Sequence, residues 1–127
     1  MNDKVKYWLD LASDDLDTAK LLCKKKKLLF SSFLCHLVIE KGMKAAVAST
    51  GTSPPKSHDL VKLAKLAGVY TLMNDEQKDL LDTLSPLNIE ARYPSYKNNI
   101  TKSLDKATLK AIIKETEALL RWTEKQL

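Results

Sequence analysis

Phe33-Leu-Cys-His-Leu-Val-Ile-Glu-Lys-Gly-Met-Lys-Ala-Ala-Val-Ala48 is the stretch around which the rest of the chain is expected to pack. At a helical period, Leu34, Val38, Ala45 and Ala48 share one face, and Phe33, Leu37 and Val47 widen it until most of the circumference is apolar. A helix of that kind is central to its domain. Along the remaining edge His36, Glu40 and Lys44 recur four residues apart, one above another on successive turns. Unpaired charge is costly to bury, so this titratable stripe faces either water in a cleft or a polar partner. Gly42, Ala45, Ala46 and Ala48 leave room for another helix to approach closely near the end of the stretch.

The elements on either side read as further helices. Val5, Trp8, Leu9, Ala12, Leu16, Ala19 and Leu22 recur at spacings of three and four, predicting a helix from about Asp3 to Cys23 with Asp10, Asp14, Asp15 and Asp17 on its wet side. The run Lys24–Lys27 puts cations at the negative end of that helix dipole. It reads as a solvated helix terminus, with a nucleic-acid patch as the alternative. Ser31 or Ser32 is the expected cap of the central helix, which ends near Thr50-Gly51. Gly51 to Ser57, with two prolines, is a loop. Ser57 is placed to cap a third helix over His58–Ala67, with Leu60, Leu63, Ala64 and Ala67 inward and Gly68 closing it.

Asn74 followed by Gln77 reads as a capping box for a fourth helix starting at Asp75, with Leu80, Leu81, Leu84, Leu87 and Ala91 as its core stripe. Pro86 interrupts that run, either as a kink or as the start of a new helix capped by Ser85. Pro94 biases Tyr93 out of helical geometry, so Ala91-Arg92-Tyr93-Pro94 ends the segment. After a polar connection over Ser95–Lys102, a last helix is expected from about Leu104 to Lys125, packing through Ala107, Ala111, Ile112, Ala118, Leu119 and Trp122. With no strand alternation and short loops, the expected fold is all-α, an up-and-down helical bundle of about five helices formed as a single domain over residues 1–127.

Composition narrows the classes of function. The chain has 127 residues, enough to bury roughly two thirds of its unfolded surface without staples. No apolar run reaches the ~20 residues that span a bilayer, and Met1–Trp8 carries no cleavable signal pattern, so the expectation is a cytoplasmic protein with no membrane association. Cys23 and Cys35 read as buried reduced thiols, and no metal site or cofactor is expected. The net charge of +5 is compatible with nucleic acid or an acidic protein. Only Arg92 and Arg121 are arginines, however, and a lysine-heavy surface serves solubility more than specific phosphate forks.

Four separated signals coincide in order and spacing: Trp8 with Asp15-Leu16-x-x-Ala19, His36-x-x-x-Glu40-Lys41-x-x-Lys44-Ala45, His58-Asp59-Leu60, and Ala91-Arg92-Tyr93-Pro94. Over nearly its whole length the chain resembles the HEPN domain family of small prokaryotic helical proteins. The resemblance implies a helical bundle that commonly forms a homodimer. It also implies a partner, a minimal nucleotidyltransferase often encoded alongside, in pairs frequently regarded as toxin–antitoxin systems. Many members are metal-independent ribonucleases marked by an arginine followed, after four to six residues, by a histidine.

This chain departs from that signature. The window after Arg92 holds Lys97, Asn98 and Asn99, no histidine lies beyond His58, and Arg121 is too near the end to complete the motif. Metal-independent RNA cleavage needs a proton acceptor for the 2′-hydroxyl and a donor for the leaving oxygen, roles that suit histidine near neutrality. Tyrosine and lysine titrate far above that range. The resemblance therefore carries over the fold and a nucleotide- or RNA-binding role better than it carries over catalysis, with an atypical ribonuclease using Arg92, Tyr96 and His58 as the alternative. A purely structural dimerising module is the third reading.

Each candidate side chain has a bland counterpart. Arg92 could fork onto a phosphate or carboxylate, or form a structural ion pair with Glu40, or cap its helix. His36 is a ligand contact or a satisfied packed residue. Glu40 and Lys44 have the spacing of an intrahelical pair worth a few tenths of a kcal/mol. Lys41, Lys44 and Arg92 would cradle a phosphate if the bundle brings them to one side, with Tyr93 shaping the wall. His58 contacts ligand or hydrogen-bonds back into the bundle, while Asp59 sits at the positive end of its helix. Trp8 and Trp122 read as core partners.

Overall fold

A computed structural model describes residues 2–88 and 104–127. Helix α1 spans Asp3–Lys24, its first turn capped by Asn2, whose Oδ1 accepts the Val5 N–H at 2.9 Å. Val5, Leu9, Ala12, Leu16, Ala19 and Cys23 form its buried stripe. Lys26 then takes a left-handed conformation at φ 60°. The Lys27 N–H reaches back to Leu22 O at 2.8 Å and the Lys26 N–H to Cys23 O at 3.1 Å. Those crossed bonds satisfy the last carbonyls of α1 and reverse the chain, a motif in which glycine is the usual occupant of the left-handed position.

Helix α2, Leu28–Ser49, starts three residues before Ser31 and has no side-chain cap, so neither expected serine fills that role. Ser31 is buried and donates its hydroxyl to Ala19 O on α1 at 2.7 Å, while Ser32 bonds Leu29 O. The helix is held by its neighbour, not by a cap. Contacts at Ser31–Ala19, Lys41–Asp15 and Lys44–Trp8 run in opposite directions along the two helices, making α1 and α2 an antiparallel hairpin. Gly51, at φ 87°, ends the turn beyond α2.

Helix α3 is shorter than the spacing predicts, Leu60–Leu66, because Asp59 and not Ser57 is its cap: Asp59 Oδ1 accepts the Lys62 N–H at 3.1 Å. His58 and Asp59 therefore precede the helix instead of forming its first turn. Leu60, Leu63 and Ala64 are buried, and Gly68 at φ 76° closes the element. A short 3-10 turn over Tyr70–Leu72 leads to α4, Asp75–Leu84. The capping box is formed in both directions, Gln77 N–H to Asn74 Oδ1 at 2.8 Å and Asn74 N–H to Gln77 Oε1 at 2.9 Å. Ser85 and Pro86 form a turn and helical residues resume at Leu87. Pro86 lacks the N–H that would continue α4, so the run breaks there. The expected features at Ala91–Pro94 and Ser95–Lys102 lie outside the described residues.

Helix α5, Lys106–Lys125, begins after an Asp105 cap that accepts the Thr108 N–H at 2.7 Å. Its buried face is Leu109, Ile113, Thr116, Leu119, Leu120 and Thr123. That corrects the expected face, since Ala107, Ala111 and Ala118 are exposed and Ile112 and Trp122 half-buried. The inward stripe is continued by two threonines, which let it rotate away from the alanines. Thr123 satisfies its hydroxyl on Leu119 O at 2.8 Å. As the small residues of α2 imply, α5 comes close there: a Cβ added to Gly42 would stand 3.0 Å from Leu120 Cδ1.

α2 packs against α1, α3, α4 and α5, which makes it the axis of an all-α bundle. Cys23 and Cys35 are buried free thiols, and both tryptophans are half-buried against the core. Among the described residues there is no strand, and no helix is long and apolar enough to cross a membrane.

Candidate functional site

The helical repeat that put His36, Glu40 and Lys44 on one edge holds, and the whole edge is buried: 1%, 4% and 7% exposed. Buried charge needs partners, and Glu40 is where they converge. Its Oε2 lies 3.2 Å from Lys44 Nζ, one turn along α2. Its Oε1 lies 2.9 Å from Nδ1 of His58, carried in by the segment between α2 and α3. His36 Nδ1 stands 3.7 Å from the same oxygen, beyond hydrogen-bond length but close enough to feel its charge. Lys44 Nζ also sits 5.4 Å from the ring centre of Trp8 on α1, a cation–π contact that helps cover the ammonium.

The tautomer of His58 follows from this geometry. An ionised carboxylate can only accept, so Nδ1 carries the hydrogen and donates it to Glu40. Nε2 of the neutral ring is then the acceptor. The His58 side chain is 51% exposed whereas that of Glu40 is 5% exposed, so the pair joins the interior to the surface. A carboxylate behind an imidazole fixes ring orientation and steadies the imidazolium when it forms.

Lys41 is held apart from this cluster. It pairs with Asp15 on α1, both side chains about one-fifth exposed, which turns Asp15 partly away from the wet side assigned to it. Lys41 and Lys44 thus each have a carboxylate of their own. Arg92 and Tyr93 lie outside the described residues. The structure therefore brings together His36, Glu40, Lys44 and His58, and sets Lys41 on the α1–α2 seam.

Trp8 over Lys44 had no clear signal in sequence, whereas a bond from His58 back into the bundle was one of its two expected roles, without its partner being specified. Trp8 reads as plain core, and its role over Lys44 needs the hairpin register. The His58–Glu40 bond joins residues 18 apart, with two prolines between them. On the far side of α2, burial pushes the Cys35 thiol up to about 12, only partly offset by the Thr116 hydroxyl. Among the described residues, no three His, Cys, Asp or Glu side chains gather in a metal-holding group.

A family model described as HEPN domain matches residues 5–126. The chain belongs to the HEPN domain family, whose members are helical and generally associated with nucleotides or RNA. Comparison with curated proteins and with solved structures gave no match.

Proposed function

We propose that this chain acts as one HEPN domain that binds rather than cleaves, associating with a nucleotide, a minimal nucleotidyltransferase, or both, as a cytoplasmic homodimer in a toxin–antitoxin type pair. The observation that carries this reading is the Glu40 cluster, a buried charged group on the central helix that reaches the surface through His58. Such a group is expensive to maintain in a bundle that an apolar stripe would hold equally well, which favours a role beyond packing. In this reading His36, Glu40, Lys44 and His58 form one wall of the site, and Arg92 and Tyr93 are assigned to it from the sequence alone. Lys41, committed to Asp15 on the α1–α2 seam, is left out of that wall.

Self-association is supported by a different surface. Leu22, Lys27, Phe30, Phe33 and Leu34 line an open apolar depression at the turn end of the hairpin, with Phe30 58% exposed. Co-purification with the product of the adjacent gene, with the free protein weighed by light scattering, tests the reading. A stable complex and a dimeric free protein are expected. If Arg92→Ala leaves both nucleotide and partner binding unchanged, the site is misassigned.

The orientation of His58 by Glu40 favours one second reading, a ribonuclease with an atypical site. It requires chelator-insensitive RNA cleavage that vanishes in Arg92→Ala, and a clean dimer without cleavage removes it.

A further inference from the structure

The charge balance of the Glu40 cluster has room for one more ion. With His58 neutral, the carboxylate of Glu40 is matched by the ammonium of Lys44 at 3.2 Å, and the pair carries no net charge. Lys44 is 7% exposed and covered by Trp8, so it remains with Glu40 instead of turning to solvent. A proton added to His58 therefore creates a positive charge that its own carboxylate cannot cancel. That charge sits on a side chain 51% exposed, with Nε2–H now a donor. Among the described residues, Glu40, Lys44 and His36 on α2 form this cluster, Tyr7 stands edge-on to Trp8 on α1, and Lys56 and Asp59 flank His58 in sequence. Asp59 is committed to capping α3, and Lys56 is an exposed cation.

We propose that His58 is a proton-linked contact for the phosphoryl group of a nucleotide, with Glu40 positioning its ring and Lys44 supplying the counter-charge that makes protonation depend on the bound anion. A phosphomonoester suits the position because its second ionisation falls near pH 6, where histidine also titrates, so imidazolium and dianion coexist near neutrality. No bond is broken. Binding transfers one proton from solvent to His58 Nε2, which then donates to a phosphoryl oxygen. This inference rests on the nucleotide-binding reading and narrows it, because Lys44 becomes support beneath the site and His58 the contact.

The test is calorimetric titration of the full chain with adenosine 5′-monophosphate in buffers of different ionisation enthalpy, beside adenosine and inorganic phosphate. The two histidines of the chain are followed by proton–carbon NMR. Monophosphate is expected to bind with uptake of a proton at His58, weakening as pH rises from about 6 to 8 by up to about tenfold per unit. Adenosine is expected to show no proton uptake. Inorganic phosphate reproducing the uptake assigns the contact to the phosphoryl group alone, and phosphate without effect ties the contact to the whole nucleotide.

His58→Gln is expected to lower monophosphate affinity about tenfold and flatten its pH dependence. Lys44→Met removes the counter-charge from Glu40, which can then balance a proton on His58 without a bound anion, so the uptake on binding is expected to shrink. A role limited to tethering the segment would leave these pH signatures unmoved. Monophosphate binding without proton uptake, unchanged in His58→Gln, overturns this inference and leaves nucleotide binding standing. Absence of any monophosphate binding also overturns it, and co-purification then decides the partner role separately. Circular dichroism shows whether Lys44→Met folds, and His58→Gln, at an exposed position, carries the test if it does not.

Discussion

Two ion pairs start from neighbouring residues of α2 and behave as opposites. Lys41 reaches sideways to Asp15 on α1, with both side chains about one-fifth exposed. Glu40 points into the bundle at 5% side-chain exposure and holds Lys44 and His58 together. The first resembles a seam stitch between helices, half in water, where screening and side-chain entropy leave little net stabilisation. In the second the charges have left water, so each depends on the other being present. Adjacent positions on one helix thus lead to different chemistry because successive side chains diverge by about 100° around the axis.

The largest effect is expected at Glu40. Glu40→Ala strands the Lys44 ammonium in the interior and is expected to lower stability by about 3–5 kcal/mol in urea unfolding. A loss below about 1 kcal/mol would mean that water or another group already solvates Lys44. Replacing both residues, Glu40→Gln with Lys44→Met, is expected to recover most of that loss, since two neutral groups need no counter-ion.

A second buried titratable group on α2 gives an intermediate effect of predictable sign. Cys35 is pushed from 9.0 to about 12 by burial, so the folded protein keeps the thiol proton that the unfolded chain releases. Its contribution is complete below pH 9 and is lost as pH rises toward 12, by up to about 1.4 kcal/mol per unit. Unfolding of the wild type and Cys35→Ala measured from pH 8 to 10 should show a steeper decline in the wild type. Parallel curves would contradict the burial.

Asp15→Asn is expected to lower stability by only about 1 kcal/mol or less, and the difference should shrink in high salt. A loss as large as that at Glu40 would show that the seam pair is far drier than its exposure implies. Smallest is Lys26→Gly, which touches neither pair. It should stabilise by about 0.5–1 kcal/mol by relieving the left-handed backbone, and it sets the scale of a purely conformational effect.

Much of this architecture was legible in the residues. The α1 stripe, the Asn74–Gln77 box and the stops at Gly51 and Gly68 are local signals, and local signals survive folding. The mismatches arose where a side chain found a partner far along the chain or hid its polarity. Ser31 reads as a cap but bonds Ala19 O across the hairpin. Thr116 and Thr123, absent from the expected packing stripe, are buried, so the inward face of α5 lies about one residue's rotation from the expected one. Asp59 outcompeted Ser57 because its carboxylate reaches the Lys62 N–H.

The candidate site divided in the same way. The His36–Glu40–Lys44 edge is a matter of spacing within one helix and could be read directly. That His58 would close on Glu40, that Trp8 would cover Lys44 and that Lys41 would turn to Asp15 depended on how separate elements met. A stripe announces that charge must be partnered, but not by what.

The reversal at Lys25–Lys27 also has a consequence in time. It joins two helices of 22 residues each through a very short connection, so their pairing closes little chain and sacrifices little loop entropy. Contacts of that kind form early, and the hairpin is the natural nucleus on which α3, α4 and α5 later condense. The left-handed lysine at its tip would then act on the rate of folding more than on the rate of unfolding. His58 would meet Glu40 only after that nucleus is in place.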